Sequence, residues 1–178
     1  MNKSVETKLL FANALISISK DLPLDQIRIK DICELSGASR QTFYYHFIDK
    51  EDLLSWMLQY DFDNSLKNAK GKEGEELIEE LFSNILSNDS YHRSILASNN
   101  VPSEILVEAI YKKSEDLYLT NYHKKKLNND EVFTLKYHAR GLAGLINDAI
   151  NNHNPVDVKE LARQEYRLLP KELKEIYR

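Results

Sequence analysis

A chain of 178 residues, 42% apolar and 29% charged, can bury a real core as one large domain or two small ones, so disorder is not the default. Its single cysteine, Cys33, excludes an internal disulfide framework and a cysteine-rich zinc site, and suits a reducing cytosol. The formal net charge of −4 excludes a generally cationic nucleic-acid binder, and no apolar run approaches the ~18–20 residues that cross a membrane. With no secretory pattern at the N-terminus, a cytoplasmic protein is expected. Glycine and proline are scarce, at 5 and 4 residues, and the polar residues favour helix over strand, so the expected fold is all-α.

In chain order, residues 4–20 carry Val5, Leu9, Ala12 and Ile16 at helical spacing, widened by Phe11, Leu15 and Ile18. This predicts an amphipathic helix that ends at Asp21-Leu22-Pro23. Ile29, Ile32 and Leu35, with Cys33 beside them, suit one face of a short second helix. Gly37 then falls where a tight turn needs a residue tolerant of positive φ, and Ser39 is a candidate N-cap. Arg40 to Phe47 makes a third helix with Phe43 and Phe47 four apart. Two short helices about a glycine turn describe a helix-turn-helix, whose second helix can enter the DNA major groove. Phe43, Phe47, Ile32 and Leu35 are expected in the core, and Cys33 as a small buried hydrophobe.

Asp49 with Asp52 three residues later reads as the start of a fourth helix reaching about Lys67, and Lys67–Gly74 reads as a linker. Five more helices are expected. They are Glu75–Leu86, Ser90–Ala97, one from Pro102 to about Lys126, Asp130–Asn151, and a last one opened by Pro155 and Asp157, with Leu173, Ile176 and Tyr177 adding a turn or two. The division predicted is a three-helix DNA-binding head, residues 1–48, followed by a helical effector-binding and dimerisation domain, residues 49–178.

The run Gly37-Ala38-Ser39-Arg40-Gln41-Thr42-Phe43-Tyr44-Tyr45-His46-Phe47, then Asp49-Lys50-Glu51-Asp52-Leu53-Leu54, resembles the DNA-binding signature of the Tet-repressor-like transcription regulators. The Tyr-Tyr-His-Phe core, the lysine three residues on and the upstream Ile29-Lys30-Asp31-Ile32 fall in register. Arg40 to Phe47, with Trp56 downstream, is similar more narrowly to a branch containing regulators of dihydroxyacetone-kinase operons. The resemblance covers roughly the first third of the chain. Family members often carry Thr or Ser where this chain has Arg28, so the cap of the second helix must come from elsewhere, Asp25 for example, or be lost at about 1 kcal/mol.

An isolated Tyr-Tyr-His run is more often half-buried packing than function. After a glycine turn and a Ser cap, beside Arg40 and ahead of Lys50, phosphate contact by Tyr44, Tyr45, His46 and Lys50 is the stronger reading. Arg40 and Gln41, at the helix start, suit base edges: arginine bridges the two acceptors of guanine, and glutamine the acceptor–donor pair of adenine. Ser39 and Thr42 would combine capping with phosphate contact. Residues 1–55 hold seven Lys and Arg against eight Asp and Glu, so binding should be tight only at a matched site.

Small residues Ala139, Gly141, Ala143 and Gly144 allow close packing within the chain or a subunit interface. The resemblance favours the interface, with Ala139, Leu142, Ala143 and Ile146 facing a second copy. Tyr91, His92, Tyr111, Tyr118, Tyr122, His123, Tyr137, His138 and Arg140 could line an effector cavity, although helical domains commonly scatter such residues with no ligand. His123-Lys124-Lys125-Lys126 reads as a solvated helix end. No histidine pair has zinc spacing, and no phosphate loop, nucleophile–base set or cofactor fingerprint occurs, so no metal, no cofactor and no enzymatic activity are expected. The expected protein is a homodimer on double-stranded operator DNA, signalled by an unknown small-molecule effector. The rival is a DNA-tethered adaptor whose C-terminal helices bind a partner protein.

Overall fold

The computed structural model describes residues 3–86, 103–151 and 156–178. The predicted Ser90–Ala97 helix, with Tyr91, His92, Pro102 and Pro155, lies outside the described residues. Every regular element among those described is helical, and one apolar cluster runs through them from Phe11 to Tyr177.

Helix α1 spans Lys3–Ile18, α2 Ile29–Ser36 and α3 Arg40–His46. A 3-10 turn at Leu24–Gln26 precedes α2. Gly37 ends α2 at φ 70°, the left-handed conformation that an L side chain resists. The Ser39 hydroxyl then accepts from the Thr42 N–H at 3.0 Å, satisfying an orphan donor of α3. Phe11 of α1 meets Phe43 edge to face at 5.2 Å, and Phe47 lies beside both, so α1 closes over the two helices of the motif.

Two local expectations change. Leu35 is 56% exposed, because a helix of eight residues turns only one narrow stripe, here Ile32 and Cys33, onto α1. The α2 N-terminus is secured by Asp31 rather than Asp25. Its carboxylate accepts from the Arg28 backbone N–H at 3.2 Å and from two guanidinium nitrogens at 2.9 Å. Arginine thus fixes the carboxylate that does the capping.

Helix α4, Lys50–Asn68, starts on Asp49, whose side chain accepts from the Asp52 N–H at 2.7 Å, while Asp52 accepts from the Ile48 N–H at 3.0 Å. It packs on α1 at one end and on the C-terminal helices along the rest. These are α5 (Gly74–Leu86), α6 (Ser103–Asn121), α7 (Asn129–Asn151), α8 (Val158–Leu168) and the short α9 (Lys171–Lys174), followed by a 3-10 turn at Glu175–Tyr177. Helix α6 stops before the expected Lys126. His123 turns left-handed at φ 51° and the Lys124 N–H reaches back to the Leu119 carbonyl, which closes the helix, while the Lys124 ammonium turns to Glu131.

Helices α6 and α7 pack along their length, and α8 lies on α5. The small residues of α7 serve that packing. Ala139, Ala143 and Ile146 are fully buried within a single chain and Leu142 is half-buried, so these four do not present a surface to a second copy. The stripe packs against α6 of the same chain. The opposite face of α7 is the exposed one, with Phe133, Tyr137, Gly141, Gly144 and Leu145, and Leu168 of α8 stands beside it. Phe133 and Tyr137 stack at 6.4 Å, both at least 70% exposed.

Candidate nucleic-acid interface

The outer face of α3 follows from which residues its core face consumes. Phe43 is fully buried and Phe47, just past the helix end, nearly so, which turns Arg40, Gln41, Tyr44 and Tyr45 outward. Tyr45 is 83% exposed, a large aromatic held in water on a helix of under two turns. Its ring meets His46 edge-on at 4.9 Å, and Tyr44 leans on Phe43 at 5.6 Å. The rings are therefore fixed by neighbours while their polar ends stay free.

Ser39 and Thr42 share a hydroxyl contact of 2.8 Å at the start of α3. The first turn is thereby capped, and Arg40 and Gln41 leave from it unencumbered. Partial burial, and then the charge of Lys8, lower the His46 imidazole from its ordinary value, which favours the neutral ring with its single N–H. Lys8 itself lies over the rings of Phe47 at 5.2 Å and Trp56 at 5.3 Å, a cation on the same rim that the sequence reading did not select. Its only sequence signal is a lysine in the first helix, which is common on any helix. Burial raises the Cys33 thiol, so it stays protonated and inert.

Seven of the eight residues expected at DNA share this surface. Lys50 differs: its ammonium turns inward, donating to the backbone carbonyls of Leu24 at 2.7 Å, Ile27 at 3.0 Å and Asp25 at 3.2 Å. A cation with all three donors on protein carbonyls has none for a phosphate.

Residues 23–56 match the model of the bacterial regulatory proteins of the tetR family. Over 169 residues the chain is 26% identical to the HTH-type dhaKLM operon transcriptional activator DhaS of Lactococcus lactis subsp. lactis (strain IL1403), covering 88% of this chain and 86% of that protein. The head carries the DNA-binding motif of the TetR family. The fold agrees with two solved structures. One is a dihydroxyacetone kinase operon activator DhaS (TM-score 0.58, 19% identity, 92% of this chain and 94% of that one). The other is a TetR transcriptional regulator from Rhodococcus sp. RHA1 (TM-score 0.66, 13% identity, 93% and 97%). With that head this chain is a DNA-binding transcription regulator, and the matched family is one of regulators rather than enzymes.

Away from the head, the chain carries an interior cavity of about 40 Å3 between α4, α5, α6 and α7. Its wall is apolar, with Phe62, Ile78 and Phe82, apart from Lys113, Ser114, Glu165 and Tyr177. Among the described residues, none of the polar aromatics singled out in the sequence lines it. Tyr118 pairs with Tyr122 and donates to Glu131, Arg140 pairs with Glu104, and Tyr137 faces outward. Glu165 comes from α8 and Tyr177 from the closing 3-10 turn, where nothing in sequence ties them to α4.

Glu165 also meets His138, whose Nδ1 lies 3.2 Å from its Oε1. Burial pushes His138 down to about 4 and pushes Glu165 up, so both favour the neutral form. The His138 Nε2 is buried with no hydrogen-bond partner among the described residues.

Proposed function

We propose that two copies of this chain bind a two-fold symmetric operator, each placing α3 in a major groove, and that the operator controls dihydroxyacetone-kinase genes. In this reading Arg40 and Gln41 meet base edges, while Ser39, Thr42, Tyr44, Tyr45 and His46 hold phosphates. The observation that carries it is α3 itself: a capped helix whose core face is fully used and whose outer face is a row of long donors, led by the exposed Tyr45. The 26% identity across 88% of the chain supports the choice of genes.

Dimerisation through α7 and α8 has support in their outer face. Gly141 and Gly144 have open space above them, so a partner helix could approach closely, and Phe133, Tyr137, Leu145 and Leu168 supply apolar area around them. The boundary near residue 48 between head and C-terminal domain belongs to the same proposal. An effector then acts by preferring one spacing of the two heads, which must sit about 34 Å apart to enter successive grooves. A second reading takes the signal from a partner protein. It draws on the apolar cavity behind α4, whose 40 Å3 is far below the ~300 Å3 of ordinary ligand sites, while the roomier hollow of about 380 Å3 beside Tyr137, His138 and Leu168 opens on the outer α7–α8 face.

Selection of bound sites from random DNA tests the proposal. The expected product is a palindrome with half-sites one turn apart that recurs upstream of dihydroxyacetone-kinase genes. Recovery of single unpaired half-sites would remove the dimer, and palindromes elsewhere would remove the assigned genes.

A further inference from the structure

Lys50 is the first residue of α4, where the positive end of the helix dipole disfavours a cation; its neighbours Glu51 and Asp52 have the favoured sign. The reason for a lysine there lies 23 to 26 residues earlier in the chain. The carbonyls of Leu24, Asp25 and Ile27 converge on its ammonium from the 3-10 turn before α2. Leu24 and Ile27 are fully buried, so these carbonyls belong to a fixed point of the head. The Leu24 oxygen also accepts the Ile27 N–H, which ties the turn to itself as well as to Lys50.

A second attachment joins the same parts. The link from α3 to α4 is only Phe47, Ile48 and Asp49, and the Asp49–Asp52 cap fastens it to the first turn of α4. The head is thus held to the first turn of α4 at two points, the Phe47–Asp49 link and the Lys50 ammonium. We propose that Lys50 is a positioning residue that fixes the orientation of the DNA-reading head on α4, acting through the Leu24–Ile27 backbone without touching DNA. The proposal rests on two-headed operator binding. It assigns Lys50 the transmission of any movement of α4 to α2 and α3.

The test uses the full-length protein with operators whose half-site separation varies in single base-pair steps. Wild type should prefer one separation. Lys50→Met should keep the head folded, bind the best operator about tenfold more weakly, and bind neighbouring separations almost equally well. Its plot of log affinity against log salt should keep the wild-type slope. Lys50→Arg keeps the charge but not three converging donors, so it should behave like Lys50→Met. A slope reduced by about 0.9 per head, with Lys50→Arg restoring affinity, would make Lys50 a phosphate contact and overturn the proposal. Unchanged affinity and unchanged spacing preference would overturn it equally.

Should the variants not fold, or wild type show no spacing preference, 15N-lysine NMR of the wild type decides. The Lys50 ammonium should give a slowly exchanging signal in free protein, at the same position with operator bound. A signal that becomes protected only on operator binding would refute the clamp. Absence of spacing preference in wild type, with a protected ammonium, would locate the failure in the dimer reading instead.

Discussion

Arg40 leaves the first turn of α3 with its side chain in solvent, and the Ser39 cap holds that turn in place. A bidentate arginine contact to guanine is worth about 1–3 kcal/mol, so Arg40→Ala should weaken the preferred operator by that amount and relax choice at one base pair. Competition binding against operators changed at each position measures both effects. An unchanged base preference would reassign Arg40 to the backbone. His138 gives a residue-scale prediction of a different kind. Its folded value near 4 lies below the ordinary 6.5, so between these the unfolded chain binds more protons than the folded one. The stability contributed by neutral, buried His138 is therefore complete above pH 6.5 and lost as pH falls toward 4, by at most about 3 kcal/mol. Glu165, raised by burial, contributes with the opposite sign above the ordinary carboxylate range. Comparing urea unfolding of wild type and His138→Gln from pH 4 to 7 isolates the histidine. Parallel curves would mean that His138 is not buried neutral.

Helix α7 shows how much of an element its sequence determines. The 3.6-residue period put Leu135, Ala139, Leu142, Ala143, Ile146 and Ile150 on one stripe, and that stripe is the buried side. Periodicity says which face leaves water, not whether the covering surface is in the same chain. Here α6 covers it, and the face left for a second copy is the one opposite. Ala143→Glu should consequently unfold the protein, because it places a charge in the α6–α7 contact. Tyr137→Glu combined with Leu145→Glu should give a folded monomer, since both side chains are exposed. Sedimentation with circular dichroism separates these outcomes, and an intact dimer in the double variant would place the interface elsewhere. Helix starts were more legible than faces. Ser39, Asp49 and Asp157 cap α3, α4 and α8 as local chemistry requires, each accepting an N–H three residues ahead.

At the scale of the whole molecule, two weak half-site contacts become one strong one only if a dimer presents both heads together. The folded monomer made by the double substitution should therefore keep its head and lose operator affinity by about 10²–10⁴, with no residue near DNA altered. Fluorescence anisotropy on full and half operators measures this. Equal loss on the half operator would point to a damaged head instead.

The amino-acid sequence by itself determined the helical class, the helix-turn-helix, the caps of α3, α4 and α8, and the α3 residues that remain after Phe43 and Phe47 are buried. All of these depend on neighbours within a turn or two, where covalent spacing fixes geometry. Only the tertiary structure decided the partner of the α7 stripe, the makeup of the interior cavity and the place of Lys50. Each of these depends on residues far apart in the chain coming together: α6 with α7, Tyr177 on one cavity wall with Phe62 of α4, and an ammonium with carbonyls 23 to 26 residues away. Sequence shows that Lys50 carries three donors; the fold decides which acceptors lie within reach.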